Sequence, residues 1–256
     1  MRRVIVLLTS FWMFGAAVVG CDSANRNGDD DSAAQSDVVA ADDAPQQEVQ
    51  LEIDVASEDL YPGLPGATGI FEKERNAFYD QPFPSNTRLR PNGRPNLQDF
   101  PNPVGLPILE AYIKVADSRL DGFGNNSSIY FRFDAPLADV YFPTVYGTIS
   151  AEASVFLVNV SSESQFYGEF RPLELSWWDR EAPSQDYYLL PRTLIARPLG
   201  GFPLRPGDTY GCVVTRRLKD ANGLHPGVTE LVGRALSDDP SAPLYNMFAP
   251  LRQWLP

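Results

Sequence analysis

The sequence predicts a mainly β fold, an antiparallel sandwich with short helices at its edges, placed after a signal peptide and a disordered acidic linker. Three observations predict it. Short runs that alternate apolar and polar residues fill the second half of the chain. The 23 prolines and 19 glycines favour many strands and turns over long helices. The formal net charge of −12 is concentrated: residues 22–59 carry twelve Asp/Glu against Arg26 alone, whereas residues 60–256 have a net charge of only −3. The body is therefore near neutral, with 43% hydrophobic residues available for a core. It lacks the basic patch that nucleic-acid binding needs, so no nucleic-acid partner is expected.

The first element is the run MRRVIVLLTSFWMFGAAVVGC, residues 1–21. Arg2 and Arg3 make a positive start, and 16 uncharged residues follow, Val4–Val19. That is short of the ~20 residues that span a hydrocarbon core. The run ends Val18-Val19-Gly20-Cys21, which resembles the lipobox of bacterial lipoproteins, with Val18 where leucine is commonest. The resemblance implies a thioether-linked diacylglycerol on Cys21, cleavage before it, and acylation of the new amino terminus, with palmitate among the chains. Several chains hold a protein firmly, because each buried CH₂ contributes ~0.8 kcal/mol and one chain alone is marginal. Two other readings compete: ordinary secretory cleavage after Gly15-Ala16-Ala17, and an uncut anchor. The expected domain 1–20 is thus a lipoprotein signal peptide. Asp22 resembles an inner-membrane retention mark of enteric bacteria, a lineage-dependent rule, and it also begins the acidic series.

Residues 21–59 are expected to be a disordered acidic tether, since they lack aromatics and have few large apolar side chains to offset ordering entropy. Its 38 residues from Asp22 would span ~35 Å as a flexible coil. VQLEIDV, 49–55, alternates and is a candidate edge strand. Residues 60–122 form a Pro-rich packing segment with a short helix. Six prolines between 79 and 103 predict extended and turned chain, and Phe83 and Phe100 predict that it lies on a core. LPILEAYIKVADSRL, 106–120, predicts an amphipathic helix with Leu109, Tyr112, Ile113 and Val115 as its apolar positions.

Strands follow. Ile129, Phe131 and Phe133 share one face, with Tyr130 and Arg132 opposite. Phe156, Val158 and Val160 share a face of 153–160, and Leu173, Leu175 and Trp177 a face of 172–179, with Trp178 opposite. TLIARP, 193–198, is a shorter candidate, and 208–218 turns Tyr210, Cys212 and Val214 inward. Cys212 is expected to be a buried, reduced thiol that packs as a small hydrophobe. A disulfide to Cys21 would compete with lipidation.

The run FRFDAPLADV, 131–140, and the later GGFPLRPGDTYGCVVTRRLKDANG, 200–223, resemble the bacterial Ig-like domain of S-layer and other envelope proteins. The shared pattern is F-x-x-P-L on an early strand, then P-L-x-P-G-x-x-Y leading into a late strand that ends K-D-x-x-G. The resemblance covers about 123–225 and implies an Ig-like sandwich there, with 226–256 as a helical carboxy-terminal segment. PFPSNTRLRPNGRPNLQDFPNP, 82–103, together with LDGFGNNSSIYFRFDAPL, 120–137, is similar to the amino-terminal region of large secreted or lipid-anchored Gram-negative proteins, in some of which the Ig-like region precedes a lipase or α/β-hydrolase domain. In longer members a helix such as NMFAPLRQWLP is followed by a linker and a last strand that completes the sandwich. The resemblance therefore implies a truncated sandwich with an unpaired sheet edge.

No residue is expected to be catalytic. G-x-S-x-G is absent, and the single histidine, His225, stands in a GLHPG turn. No cofactor-binding or metal set is expected, since phosphate-cradling glycine motifs and zinc spacings are missing. Asp117, Asp121, Asn125 and Asn126 offer oxygens near Gly122 and Gly124, but their spacing does not match a calcium loop, and a self-bonded turn is the stronger reading. Trp178, Tyr187 and Tyr188 are a candidate aromatic surface for glycan or protein, weighed against core packing. The expectation is a lipid-anchored cell-envelope protein on an inner or outer membrane. It would present a spacer, adhesion or interaction module to an envelope protein or glycan partner. The alternative is an accessory domain of an envelope lipase or esterase whose catalytic domain is absent from this chain.

Overall fold

The computed structural model describes residues 66–72, 77–180 and 188–255, and the backbone of 4–10. The described residues belong to one compact unit, and Gly15–Glu52 lie outside them.

The described fold is mainly β, with two small antiparallel sheets. One has the order β1-β7-β3-β4, formed by β1 (Val4–Ser10), β3 (Val155–Asn159), β4 (Phe170–Arg171) and β7 (Thr209–Thr215). The other has the order β2-β6-β5, from β2 (Ile129–Arg132), β5 (Leu173–Trp178) and β6 (Thr193–Pro198). The helices are α1 (Pro107–Arg119), α2 (Glu230–Leu236) and α3 (Tyr245–Trp254).

Period-two patterning produces the main core. Ile129 and Phe131 of β2, Leu194 and Ala196 of β6, and Leu173 of β5 lie in one buried cluster with Val155 and Leu157 of β3 and Tyr210, Cys212 and Val214 of β7. β2, β5 and β7 thus contribute their expected faces, whereas β3 contributes Val155 and Leu157 and not the expected Phe156, Val158 and Val160. β3 and β7, however, are buried on both faces. Phe156, Val158, Val160 and Val213 pack into a second cluster with Val232 of α2 and Phe248 and Leu251 of α3. The apolar–polar alternation expected of these two strands is corrected: VFLV is a continuous apolar run, the pattern of a strand covered on both sides. Gly211 makes the cover close, since a Cβ there would meet Leu251 Cδ1 at 3.0 Å.

The Pro-rich segment lies on the core, as Phe83 and Phe100 predict. Phe83 exchanges backbone hydrogen bonds with Tyr130, and Ile70 N–H donates to Arg132 O at 2.7 Å, so both cover the outer edge of β2. Phe78, Tyr79 and Leu97 form a third cluster, with Phe100, Tyr130, Ile113 and Ala116 against it. α1 begins with Pro107 at a first-turn position, and Asn102 Oδ1 accepts the Leu106 N–H just before it. Its packed face is corrected too. Ile113 and Ala116 meet the cluster, whereas Tyr112 is 65% exposed and Val115 is also exposed.

The two stretches that carry the Ig-like resemblance lie against each other. Leu137 and Asp220 form an antiparallel bridge, Ala138 N–H donates to Lys219 O, and Ala221 N–H donates to Pro136 O. Asp220 Oδ1 accepts the N–H groups of Asn222 and Leu224, both at 2.8 Å, and Gly223 takes a φ of +76° to close that turn.

The unpaired edge implied by the resemblance has a specific outcome. The strand on the free side of β7 comes from residues 4–10, and none of the described residues between 66 and 255 supplies it.

Candidate functional site

Cys21, the lipidation candidate, lies outside the described residues, as do the tether, VQLEIDV and Tyr187. Among the described residues no helix is long and apolar enough to cross a membrane.

Cys212 sits in the middle of β7, fully buried, opposite Leu157 of β3. Its sulfur is not in a disulfide, and burial pushes the thiol pKa far above its ordinary value. It packs as a small apolar group with Tyr210 and Val214. His225 is exposed in the turn after β7, and its Nδ1 is hydrogen-bonded with Arg216 O.

The 117–126 stretch does not gather its oxygens. Asp117 lies in the last turns of α1, and both its oxygens meet Arg90 Nη2, at 2.7 and 2.8 Å. Oδ1 also accepts the Leu97 N–H at 2.7 Å. That N–H, followed by Arg90, holds the carboxyl below the usual carboxylate range, and partial burial opposes the shift. Asp117 is thereby a clamp between α1 and the Pro-rich segment. Asn125 contributes a backbone carbonyl to Leu204 N–H at 3.0 Å, and Ser127 N–H closes on Gly124 O at 2.8 Å. Asp121 is exposed. Among the described residues no group of three or more His, Cys, Asp or Glu is placed to hold a metal ion.

The Asp117 clamp carries a pH signature. A depressed folded-state pKa means that its stabilisation is present above the unfolded value of about 3.9 and is lost as pH falls through the folded value. Thermal melting followed from pH 6 downward should show a steeper acid loss for the wild type than for Asp117→Asn. The variant should begin lower at pH 6 and lie closer to the wild type in acid.

A groove of about 340 Å³ is lined in part by Glu72, Asp80 and Asp134. Two of these carboxylates have structural work. Asp80 accepts from Arg132 Nη1 at 2.6 Å and from Ala77 N–H at 2.7 Å, and Asp134 accepts Thr68 N–H at 2.6 Å. Trp178 ends β5 half-buried, with the Arg180 guanidinium 5.3 Å from its ring; Tyr188 lies at the surface.

Sequence reasoning missed two buried polar anchors. Arg88, fully buried, donates from Nη2 to Phe78 O at 2.6 Å and from Nη1 to Asp99 at 2.8 Å. Asn159, at the end of β3, donates to Asp208 Oδ2 at 2.6 Å and pins β3 beside the entry to β7. Both are hydrogen-bonded charges or amides in apolar surroundings, which composition and periodicity do not reveal.

A scan against protein-family models, a search of curated proteins and a search of solved structures each returned no match.

Proposed function

We propose that this is a lipid-anchored bacterial cell-envelope protein whose body is an Ig-like sandwich acting as a spacer, adhesion or interaction module, without chemistry of its own. The observation that carries the reading is the run from Arg2 to Cys21: two cations, sixteen uncharged residues and small neighbours before a cysteine. The acidic 22–59 segment that follows supplies reach from a bilayer surface. Support for the sandwich comes from the cluster that takes side chains from both sheets. The contact between residues 136–138 and 219–221 supports it further, because it joins the two halves of the resemblance. Two of the side chains weighed for chemistry have structural work: Cys212 is core and Asp117 a clamp.

Labelling with an alkyne-bearing palmitate analogue tests the anchor. In a Gram-negative host the wild-type chain is expected to take up label, and Cys21→Ser to take up none. Equal labelling of the two chains, or labelling of neither, would contradict the anchor.

A further inference from the structure

We propose that the stretch 139–150 is a bilayer-contacting surface, and that its ligand is the headgroup and outer acyl layer of the membrane that carries the protein. Asp139 is the only charged residue in DVYFPTVYGTIS, and the apolar side chains of this stretch face outward. Val140 is 78% exposed and Tyr146 82%, with Tyr141 and Ile149 also exposed. Apolar residues scattered singly on a surface need no explanation, whereas four on one short stretch make a patch. The stretch is braced from inside. Phe142 packs against the main cluster, and the fully buried Thr148 accepts the Leu173 N–H at 2.9 Å and donates to Val145 O at 2.6 Å. Ser154 Oγ donates to Tyr141 O at 2.8 Å. The outward side chains are therefore held out by a fixed scaffold.

The chemistry of the patch and its rim points to lipid. A tyrosine has an apolar ring and a polar tip, which suits the boundary between acyl chains and headgroups. The rim carries both signs. Lys219 Nζ lies 5.6 Å from the Tyr141 ring centroid, and its long stem lets the ammonium reach a phosphate beside the inserted ring. Arg217 donates to Ala151 O at 3.3 Å and pairs with Glu152, and Asp139 is the other carboxylate beside the patch. Mixed signs around an apolar centre match a layer of phosphate and ammonium headgroups. The inference rests on the anchor reading in one respect. Acyl chains on Cys21 would keep a bilayer within reach of the 22–59 segment, ~35 Å, so lipid is the surface this patch meets at the highest effective concentration. Docked this way, the body would turn the loop before β7, with Phe202, away from the bilayer, because that loop and the patch lie at opposite ends of the strand.

The test places an environment-sensitive fluorophore on the full chain through Tyr146→Cys or, as the control, through Phe202→Cys. Both positions are exposed, and Cys212 is fully buried. The protein is held on vesicles of phosphatidylethanolamine and phosphatidylglycerol in two arms. One uses the chain's own lipid; the other uses Cys21→Ser with a hexahistidine sequence inserted within 22–59 and a nickel-chelating lipid. Nitroxide in the acyl chains is expected to quench the label at 146 about twofold or more over the label at 202. Val140→Asp with Ile149→Asp should abolish that difference. Equal quenching at the two positions, or quenching at 146 that survives the two aspartates, would overturn the proposal. A label at 146 that lipid leaves untouched and only a co-reconstituted envelope protein covers would also overturn it, and would assign the patch to protein. Failure of the anchor reading shows separately: no lipid-held protein in the first arm, with quenching at 146 retained in the second.

Discussion

Leu157→Ala is expected to destabilise the protein by about 2–5 kcal/mol, the range for emptying a fully buried leucine site. Leu157 is 0% exposed and sits in the middle of β3, between Cys212 of β7 and Arg171 of β4. Its cluster takes residues from both sheets, so the cavity would open where the sheets depend on each other. Urea unfolding gives the measurement: a lowered midpoint at unchanged slope. Tyr146→Ala is the control, since Tyr146 is 82% exposed and should shift stability by no more than about 0.5 kcal/mol. Equal effects from the two substitutions would mean that the sheets do not share a core.

The second large effect is expected at Arg88. Arg88→Met should cost about 3 kcal/mol, because it strips a hydrogen bond from the Phe78 carbonyl and leaves Asp99 without its cation. The guanidinium also lies 3.6 Å from the Phe78 ring centroid, a stacking that methionine does not reproduce electrostatically. Arg88→Lys should recover only part of the loss, since an ammonium lacks the planar fork that reaches carbonyl and carboxylate together. Asp99→Asn should cost far less, about 0–1 kcal/mol, because the Asp99 side chain is 45% exposed and water replaces much of the pair. If Arg88→Met and Asp99→Asn have the same effect, the buried carbonyl contact is not the important one.

The strands were the most legible part of the sequence. Apolar alternation at 129–133 and 172–179 corresponds to strands whose inward residues are those that periodicity selects, and the candidate at 193–198 is a strand as well. The misreadings have physical causes. β3 and β7 belong to a sheet with helices on its outer side, so their second faces are also buried, and the run Val155–Val158 is apolar throughout for that reason. α1 leans on a small aromatic cluster with Ile113 and Ala116, and that shallow contact leaves Tyr112 and Val115 in solvent. Arg88 escaped notice because arginine is ordinarily a surface residue, and its burial depends on a carbonyl ten residues away.

The composition of the amino-terminal run suits two roles. Uncharged apolar residues suit an export leader, and the same residues suit a strand at a sheet edge. Pattern alone does not separate these uses, because neither needs alternation. Of the chemistry-bearing positions, Cys212 was legible as core from its place in a period-two strand, whereas the Asp117 clamp needed the return of the Pro-rich chain past α1.

The central claim is that Cys21 becomes the lipid-bearing first residue of the mature protein. The direct measurement is mass spectrometry of the amino-terminal peptide from protein extracted from a Gram-negative host. A peptide that begins at Cys21 and carries the added mass of diacylglycerol and an amide-linked acyl chain is the result expected. An unmodified Cys21 inside a peptide continuous with Val19-Gly20 would contradict it.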